Sequence, residues 1–491
     1  MENINKKKII KKVDATKTSN KFLNALFTET SKGRTENDAV TYTRSGSPLL
    51  DFFAQAGAMR ANATAALDLF KKAFAENREK AIKILFYLRD VRGGQGEREL
   101  FRTCLQWIGE HETQIFENII EYIQEYGRWD DLFFDNPACF SLIQDQLEED
   151  RNNKKPSLLA KWLPTINASS KTTQAKARFI AEKIGLTDIK YRKTIRGIRK
   201  QILSVEEQMS AKEWEDINYS HVPSQASRIY RNAFKKHDEE RYEKFIEKAE
   251  KGEVKIQAGT LYPYQIYETV RDDYSKTLEA LWNQLPDYTR GNNALVVADV
   301  SGSMSWANAK PMPMSVSVSL ALYFAERNVG QFKDHFITFS GEPKLQKING
   351  NTLLDKMNSI EKSDWGMNTD IQAVFNLILN TALKNSTDIE EMPETIYIIS
   401  DMEFDECAEE STNYEVITEK YKAAGYKIPN IVFWNVNASG SNLPVQKNEA
   451  GVTLVSGCSP SIFKMVTENK SPEEVMLDII DSERYSSITI E

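Results

Sequence analysis

From about residue 291 the chain alternates short apolar stretches with longer helical patterns, and this alternation constrains the fold more than any other feature. The apolar stretches are ALVVADV, DHFITFS, TIYIISDM, NIVFWNV and VTLVSG, and patterns such as PMPMSVSVSLALYFAER lie between them. Strands that alternate with helices form right-handed crossovers and a mostly parallel sheet. Because these strands are apolar throughout, helices are expected to cover both faces. Residues 289–491 are therefore predicted to form a doubly wound α/β domain.

The preceding region, residues 48–288, shows helical periodicity instead. One stretch, ERELFRTCLQWIGEH, places its apolar residues at helical spacing, and short breaks such as RGGQG and EYGRWDD separate successive amphipathic segments. This pattern predicts a helical-repeat array or an irregular α domain, without an exact internal period. Residues 1–47 are predicted to be a basic arm, which is either disordered or an added strand of the α/β domain.

The composition is that of a soluble globular protein, with 41% hydrophobic and 27% charged residues. No apolar run approaches the roughly 20 residues of a membrane span, and the basic N-terminus lacks the apolar core of a signal peptide. The four cysteines show no metal-binding spacing, which favours reduced thiols and a cytoplasmic location. The chain has only four histidines, which argues against a multi-histidine zinc site.

The stretch ALVVADVSGSMSW ends an apolar strand in oxygen-bearing side chains, Asp299, Ser301 and Ser303. Asp401 ends the TIYIISD strand in the same way, and Thr369 lies just before a predicted helix. Ligands bind at the carboxyl ends of strands in such sheets, so we expect these five side chains to meet. Two carboxylates and three hydroxyls suit Mg²⁺ or another divalent cation, with a position open for water or a partner's carboxylate.

These residues resemble a known motif. DVSGSM, MNT and SDM are similar to the DxSxS, Thr and Asp elements of von Willebrand A domains, where they form a metal-ion-dependent adhesion site. The resemblance implies hydroxyl ligands from Ser301, Ser303 and Thr369, with Asp299 and Asp401 bound directly or through water. An alternative for the first stretch alone is a helix-capping turn without metal.

Residues 151–200 hold 14 basic and only 2 acidic side chains, in a chain whose net charge is −8. A basic helical stripe is a candidate RNA-binding surface, since phosphate contacts dominate nucleic-acid affinity. The alternative is a solvated helix face balanced by acidic neighbours. The candidate residues are Lys171, Lys176, Arg178, Lys190, Arg192, Lys193, Arg196, Arg199 and Lys200. Ile195, Ile198 and Ile202 are expected to face inward behind them.

A second resemblance concerns the helical region. LFYLRDVRGGQGERELFRTCLQWI, EYGRWDDL, AKWLPTINASSKTTQAKARFIAEKIG and VPSQASRIYRNAFKKHD are similar to TROVE-like proteins, relatives of the Ro autoantigen. The similarity is greatest to an uncharacterised family with this same architecture. It implies a HEAT-like helical domain, shaped as a ring, that binds RNA. Individual RNA contacts of Ro do not transfer residue by residue.

The turn RGGQGER has two interpretations. Gly93, Gly94 and Gly96 could approach a phosphate closely, but no strand precedes them, which favours a tight turn between helices. Arg89, Arg92 and Arg98 are then expected to pair with Asp90, Glu97 and the acids of the WDD stretch.

Three functions remain in competition at this point. The first is a non-catalytic, Ro-like RNA-binding protein with a magnesium-bearing A domain. The second is a scaffold that holds a partner protein's carboxylate on the metal. The third is a metal-dependent hydrolase using Asp299, Asp401, Glu403 and Asp405, although Glu403 and Asp405 are expected to face solvent. The sequence predicts no membrane association, and it specifies neither the RNA nor the oligomeric state.

Overall fold

The computed structural model describes residues 31–202, 204–289, 293–305, 309–339, 342–363, 368–406, 411–438, 442–464 and 470–490. These residues form an N-terminal hairpin, a helical region and an α/β domain. Within these ranges, no helix combines the length and apolar character that crossing a membrane requires.

The helical region begins at Pro48, where the Ser47 hydroxyl accepts a hydrogen bond from Leu50 N and proline occupies the first turn. Asn62, Asn77, Asn136 and Ser170 cap later helices in the same way. The helices are α1 (Pro48–Gln55), α2 (Ala63–Glu76), α3 (Arg78–Arg89), α4 (Glu99–His111), α5 (Thr113–Ile119), α6 (Ile123–Tyr126), α7 (Pro137–Asn152), α8 (Leu159–Trp162), α9 (Lys171–Lys183), α10 (Asp188–Ile202), α11 (Val205–Ala211), α12 (Ser224–His237), α13 (Glu239–Glu250), α14 (Pro263–Asp272) and α15 (Lys276–Asn283).

The α/β domain has the predicted alternation of strands and helices. Its strands are β3 (Ala294–Ala298), β4 (His335–Thr338), β5 (Leu345–Lys347), β6 (Thr395–Ser400), β7 (Asn430–Asn435) and β8 (Val452–Ser456), and its helices are α16 (Pro313–Arg327), α17 (Leu353–Glu361), α18 (Ile371–Asn385), α19 (Asn413–Ala423) and α20 (Pro472–Ile480). The sheet order is β5-β4-β3-β6-β7-β8, and only the β4–β5 pair is antiparallel. Every residue of β3, β6, β7 and β8 is buried, as a sheet covered on both faces requires.

The two regions pack against each other at both ends of the helical region. Helix α1 contacts β8, and helix α14 contacts α16. Near the first contact, the Ser456 hydroxyl donates to Phe53 O and accepts from Gly57 N. A Cβ at Gly57 would lie 2.8 Å from Ser456 O, so only glycine allows this approach. The helical region therefore forms an arc that the α/β domain closes.

The basic arm has a structure in its described part. Strands β1 (Lys32–Arg34) and β2 (Val40–Tyr42) pair as an antiparallel hairpin. Isolated bridges join Asp38 to Asp405 and Tyr42 to Leu443, so the hairpin lies on the α/β domain without entering its six-stranded sheet. Residues 1–30 and Cys407 lie outside the described residues, and the other three cysteines are buried free thiols.

Candidate functional site

The predicted metal residues Asp299 and Asp401 lie where the order in which strands are added to the sheet reverses, between β3 and β6. From β3 the chain moves outward to β4 and β5, and it then returns to add β6, β7 and β8 on the other side. The loops after β3 and β6 therefore leave the sheet in opposite directions and open a crevice between them. Asp299 follows β3 and Asp401 follows β6, so both carboxylates are placed at this crevice.

Asp299 is fully buried, and both of its carboxylate oxygens accept hydrogen bonds. Its Oδ2 accepts from the Ser400 hydroxyl at 2.5 Å, and its Oδ1 accepts from Ser301 N at 2.8 Å. The Ser301 and Ser303 hydroxyls lie 3.1 Å apart. Burial raises the pKa of Asp299, and the charge of Asp405 raises it further. The loop thus holds a carboxylate and two hydroxyls together without a cation among the described side chains to balance the charge.

Asp401 lies close to Asp299 and is also buried, with 2% of its surface exposed. Burial, together with the charge of Asp299, raises the pKa of Asp401 to about 6. Its Oδ1 accepts from Glu403 N at 3.2 Å, but its Oδ2 has no hydrogen-bond partner among the described residues. A buried carboxylate oxygen without a partner is costly, so a bound cation would stabilise this arrangement.

Thr369 lies at the same sheet edge but faces other groups. Its hydroxyl lies 2.8 Å from Glu403 O and 3.0 Å from Asp405 Oδ1, and its N–H donates to Asp405 Oδ2. Asp405 is near enough to Asp299 to affect its pKa. Thr369 is therefore linked to Asp299 through Asp405, and a direct metal–hydroxyl bond from Thr369 stays a prediction.

The expected solvent exposure of Glu403 is wrong. Glu403 is 2% exposed, and its carboxylate accepts from Glu36 N and from Asn442 Nδ2, each at 2.7 Å. Asp405 is partly buried. The reason is the N-terminal hairpin, which folds over this loop and donates hydrogen bonds to Glu403 from Glu36 N and from the Asn37 side-chain amide.

Sequence reasoning missed Asn37 and Ser400 as members of this site. Asn37 Nδ2 donates to the Thr369 hydroxyl at 3.2 Å and to Glu403 O at 2.8 Å. Nothing in the local sequence around Asn37 indicates a partner more than 300 residues away. Ser400 could have been suspected, because it directly precedes Asp401 on a strand that pairs with β3.

The residues present fit a divalent cation held mainly by hydroxyls. Two buried carboxylates, an adjacent pair of serine hydroxyls and an unpartnered Oδ2 are oxygen ligands of the kind that Mg²⁺ takes. Within the described ranges, no group of three or more His, Cys, Asp or Glu side chains is arranged to hold a metal. The predicted set contains only two carboxylates, Asp299 and Asp401, and so does not depend on such a group.

The basic residues of α10 line a groove of about 610 Å³. Tyr191, Ile195 and Ile198 are buried behind it, and Ile202 packs against the core, as predicted for the isoleucines. The predicted RNA-binding residues at this groove are Arg192, Lys193, Arg196, Arg199 and Lys200. Of these, all but Arg199 are exposed. The structure therefore gathers five of the nine candidates on one surface, which we call the α10 groove.

Arg199 differs from its neighbours in the groove. Its guanidinium donates to Ala160 O at 2.8 Å, to Leu163 O at 2.6 Å and to the Thr165 hydroxyl at 2.9 Å. Burial lowers the pKa of Arg199. These bonds attach α10 to the end of α8. Arg199 therefore has a structural role, and its role in RNA binding stays a prediction.

The other four candidates lie outside the α10 groove. Arg178 pairs with Asp188 at 3.3 Å, and Lys176 lies over the Phe133 ring at 5.7 Å. Lys171 and Lys190 are exposed near the starts of α9 and α10. Ser170 caps α9, so the NASSKTT stretch forms a helix cap.

The RGGQGER stretch is a tight turn between α3 and α4, as favoured above. A Cβ at Gly94 would lie 1.8 Å from Tyr87 O, so no larger residue fits there. Arg89 pairs with Asp131 of the WDD stretch at 2.8 Å, as expected. Arg92 lies 4.0 Å from Glu125 instead, and Arg98 has no ion pair among the described residues.

Comparison with family models decides the classification. The model described as "Domain of unknown function (DUF2828)" matches residues 35–126 and 141–295, which is half of the chain. The chain belongs to this family. A second model, "Domain of unknown function (DUF7788)", matches residues 293–487. The DUF2828 match contains the α10 groove and the hairpin residue Asn37, and the DUF7788 match contains Asp299, Thr369 and Asp401.

Two individual proteins resemble this DUF2828 member. An uncharacterised protein of Acanthamoeba polyphaga mimivirus is 29% identical over 503 aligned positions, which span 91% of this chain and 87% of the viral protein. The crystal structure of the Deinococcus radiodurans Ro (RSR) protein covers 88% of this chain and 93% of its own, with 11% identity and a TM-score of 0.35. A likeness this weak decides nothing about fold or function, and no residue role is transferred from it.

Proposed function

We propose that this protein is a non-catalytic RNA-binding protein, with the α10 groove as its RNA-contact surface. The observation that carries the proposal is the groove itself, where Arg192, Lys193, Arg196 and Lys200 are exposed around one concave surface. Lysine and arginine side chains bind phosphates, and the neighbouring Thr165 and Asn167 offer polar groups beside them. Residues 151–200 contain 14 basic and 2 acidic residues, and among the described lining residues Glu207 alone brings a carboxylate to the groove.

The closed arc of helices supports the same proposal. A Ro-like architecture implies HEAT-like repeats in a ring that holds small noncoding or misfolded RNA in a ribonucleoprotein. Here α1 and α14 both contact the α/β domain, so the helical arc is closed by that domain. Exposed basic residues of α9 and α10 lie within this region of helices. We place the protein in the cytoplasm as part of this proposal, and we assign it no catalytic step.

The metal site provides the second candidate function, a scaffold that binds a partner protein through a carboxylate. It is favoured by the unpartnered Oδ2 of buried Asp401 beside buried Asp299. Asp299, Ser301, Ser303, Thr369 and Asp401 would hold Mg²⁺, which would offer an open position to an acidic side chain. Both functions can coexist, because the groove and the metal site belong to different regions of the chain.

The RNA proposal is tested by salt-dependent binding. Purified, nuclease-treated protein is titrated into fluorescent structured RNA at salt concentrations from 50 to 300 mM, which are about the range in which phosphate contacts are measurable. Changing Arg192, Lys193 and Arg196 together to Gln is expected to lower affinity at low salt by about tenfold or more. The slope of log affinity against log salt should fall by about 2, since each single-strand phosphate contact contributes about 0.7.

A matched control changes Lys236, Lys248 and Lys251 to Gln, because these are exposed lysines of the same region outside the groove. The control should bind RNA like the unchanged protein. Equal loss in both triple variants would indicate general charge attraction, and absence of RNA binding at every salt concentration would refute the proposal. EDTA is expected to leave RNA binding unchanged, because the groove contains no predicted metal ligand.

A further inference from the structure

The turn between β1 and β2 lies over the loop that follows β6. We call residues 36–38 of this turn the hairpin tip. Glu36 N donates to Glu403 Oε2 at 2.7 Å, and Glu406 N donates in the opposite direction to Asn37 O at 3.0 Å. The hairpin tip is therefore docked on the loop after β6 by hydrogen bonds from both sides.

The hairpin is held differently at its two ends. Strand β2 is firmly attached, since Tyr42 is buried and exchanges backbone hydrogen bonds with Leu443 in both directions. The hairpin tip is exposed to solvent. The ion pair between Arg34 and Glu406 beside it is exposed as well, and such pairs contribute little stability. Because exposed hydrogen bonds open locally at low cost, the tip can leave the loop while β2 stays in place.

The Thr369 hydroxyl connects the hairpin tip with the predicted metal ligands. A hydroxyl has one hydrogen to donate and two lone pairs that accept. The Thr369 hydrogen is directed to Glu403 O at 2.8 Å and Asp405 Oδ1 at 3.0 Å, and one lone pair accepts from Asn37 Nδ2 at 3.2 Å. Among the described residues, this leaves the second lone pair of Thr369 for a cation.

A cation at that oxygen would weaken the contact with Asn37. A divalent ion is the largest charge in such a site, and it polarises an oxygen that it binds. A polarised hydroxyl is a stronger donor and a weaker acceptor. Its bonds to Glu403 and Asp405 would therefore strengthen, whereas the bond that it accepts from Asn37 would weaken. The charge of the cation also repels the partly positive amide hydrogens of Asn37.

Asp405 carries the same influence to the backbone of the hairpin tip. Its carboxylate accepts from Thr369 N at 2.9 Å, and its charge is near enough to Asp299 to act on that residue. Asp405 is also paired with Asp38 of the tip in an isolated antiparallel bridge. A cation beside Asp299 attracts the Asp405 carboxylate, so the attraction acts on the residue to which the tip is paired.

We propose that the hairpin tip is a metal-sensitive cover of the loop after β6. In the protein without metal, Asn37 holds the Thr369 hydroxyl and the tip covers Glu403, which is only 2% exposed. Cation binding releases the tip and exposes this loop to a partner protein. The proposal rests on the metal site of the second candidate function and adds its regulation, because the partner finds the loop accessible only when metal is bound.

Hydrogen–deuterium exchange of the full-length protein, measured by mass spectrometry in saturating Mg²⁺ and in EDTA, tests the release. The amide hydrogens of Glu36 and Glu406 report on the hairpin tip, because both donate across its contact with the loop. Each should exchange about threefold faster or more in Mg²⁺, as expected when a neutral hydrogen bond is weakened. The amide hydrogen of Tyr42, which donates to Leu443 O, is the internal reference and should exchange no faster in Mg²⁺.

Variants of the hairpin tip assign the effect to the contact with Thr369. Asn37→Ala should exchange rapidly at the tip with or without Mg²⁺. Asn37→Asp cannot donate to Thr369 and carries a charge that the cation attracts, so here Mg²⁺ should slow exchange instead. Glu36→Ala is the matched control, since it keeps its backbone hydrogen bond and should respond like the unchanged protein. Because coupling is reciprocal, Asn37→Ala should gain Mg²⁺ affinity by about the factor that Mg²⁺ adds to exchange in the unchanged protein.

Isothermal titration calorimetry with Mg²⁺ on the same samples separates two kinds of failure. If the unchanged protein binds Mg²⁺ but its hairpin tip exchanges no faster, the inference is overturned and the metal site stands. The same conclusion follows if Mg²⁺ speeds exchange equally in Asn37→Ala or Asn37→Asp. If the unchanged protein binds no Mg²⁺, both the metal site and its regulation are overturned, and the proposed RNA surface on the α10 groove is unaffected.

Discussion

The α/β domain buries charged side chains at its candidate site, whereas the α10 groove exposes them to solvent. At the sheet edge, Asp299 and Asp401 are buried side by side, and the pKa of each is raised. On α10, Arg192 and Arg196 are exposed, and water already solvates their charges. A buried charge needs a partner inside the protein, so the groups around it indicate which kind of ligand it can bind. An exposed charge is stable without any partner, so its role has to come from binding measurements.

The largest expected effect belongs to the buried site. Asp299→Ala should lower Mg²⁺ affinity by about 100-fold or more, because it removes one of the two carboxylates of the site and leaves only Asp401 to supply negative charge. Isothermal titration calorimetry with Mg²⁺ measures this. Glu406→Gln, an exposed carboxylate on the same side of the domain, serves as the control and should keep its affinity. Unchanged affinity in Asp299→Ala would place the metal elsewhere.

The next effect concerns stability without metal. The pKa of Asp401 is about 6 in the folded protein and 3.8 ordinarily, so the folded state binds more protons between these values. Stability therefore decreases as the pH rises through this window. Asp401→Asn cannot ionise, and in EDTA at pH 7.5 it should be more stable by about 3 kcal/mol. Melting curves should converge near pH 4, and Mg²⁺ should stabilise only the unchanged protein. Lower stability of Asp401→Asn at pH 7.5 would contradict the inference that ionised Asp401 is destabilised by burial and by the charge of Asp299.

A smaller effect separates two arginines within the groove. Arg199→Ala removes three hydrogen bonds to the end of α8 and should destabilise the fold by about 1–2 kcal/mol. Arg196→Ala removes an exposed side chain and should leave stability within about 0.5 kcal/mol of the unchanged protein. Chemical denaturation compares the two. Equal stability of the two variants would mean that the hydrogen bonds of Arg199 do not stabilise the fold, and Arg199 would then have no structural role that Arg196 lacks.

The smallest expected effect is at the hairpin. Asn37→Ala frees the Thr369 hydroxyl from one hydrogen bond, so Mg²⁺ affinity should increase by about threefold if Thr369 is a ligand. Glu36→Ala is the control, since it keeps the backbone bond from Glu36 N to Glu403. No change on either substitution would exclude Thr369 from the metal ligands.

The sequence was sufficient for the parts of the fold with long, uniform patterns. Strands β3, β4, β6, β7 and β8 and helix α16 all coincide with predicted stretches, because continuous burial leaves a strong apolar signal. Strand β5 and helix α17 were not predicted. β5 has the sequence LQK and lies at the antiparallel edge of the sheet. Its residues are exposed or only partly buried, so it lacks the apolar run by which the other strands were predicted. Asp299 and Asp401 follow the ends of β3 and β6 as expected, because strand order and strand ends follow general rules.

The rest of the site depends on distant parts of the chain. The burial of Glu403 requires the backbone of Glu36, and the orientation of Thr369 involves Asn37, more than 300 residues away. Such contacts leave no periodic pattern in the sequence, so only the folded chain reveals them.

The way the helical arc is fastened has a consequence for how the molecule comes apart. Its start is attached by Gly57 to Ser456, its end continues into β3, and Tyr126 donates to Arg484 O in the C-terminal segment. A single protease cut in an exposed connection, such as that at Lys251, would therefore not release either fragment. The two pieces should elute together from a sizing column, and separately produced halves divided at this connection should assemble when mixed.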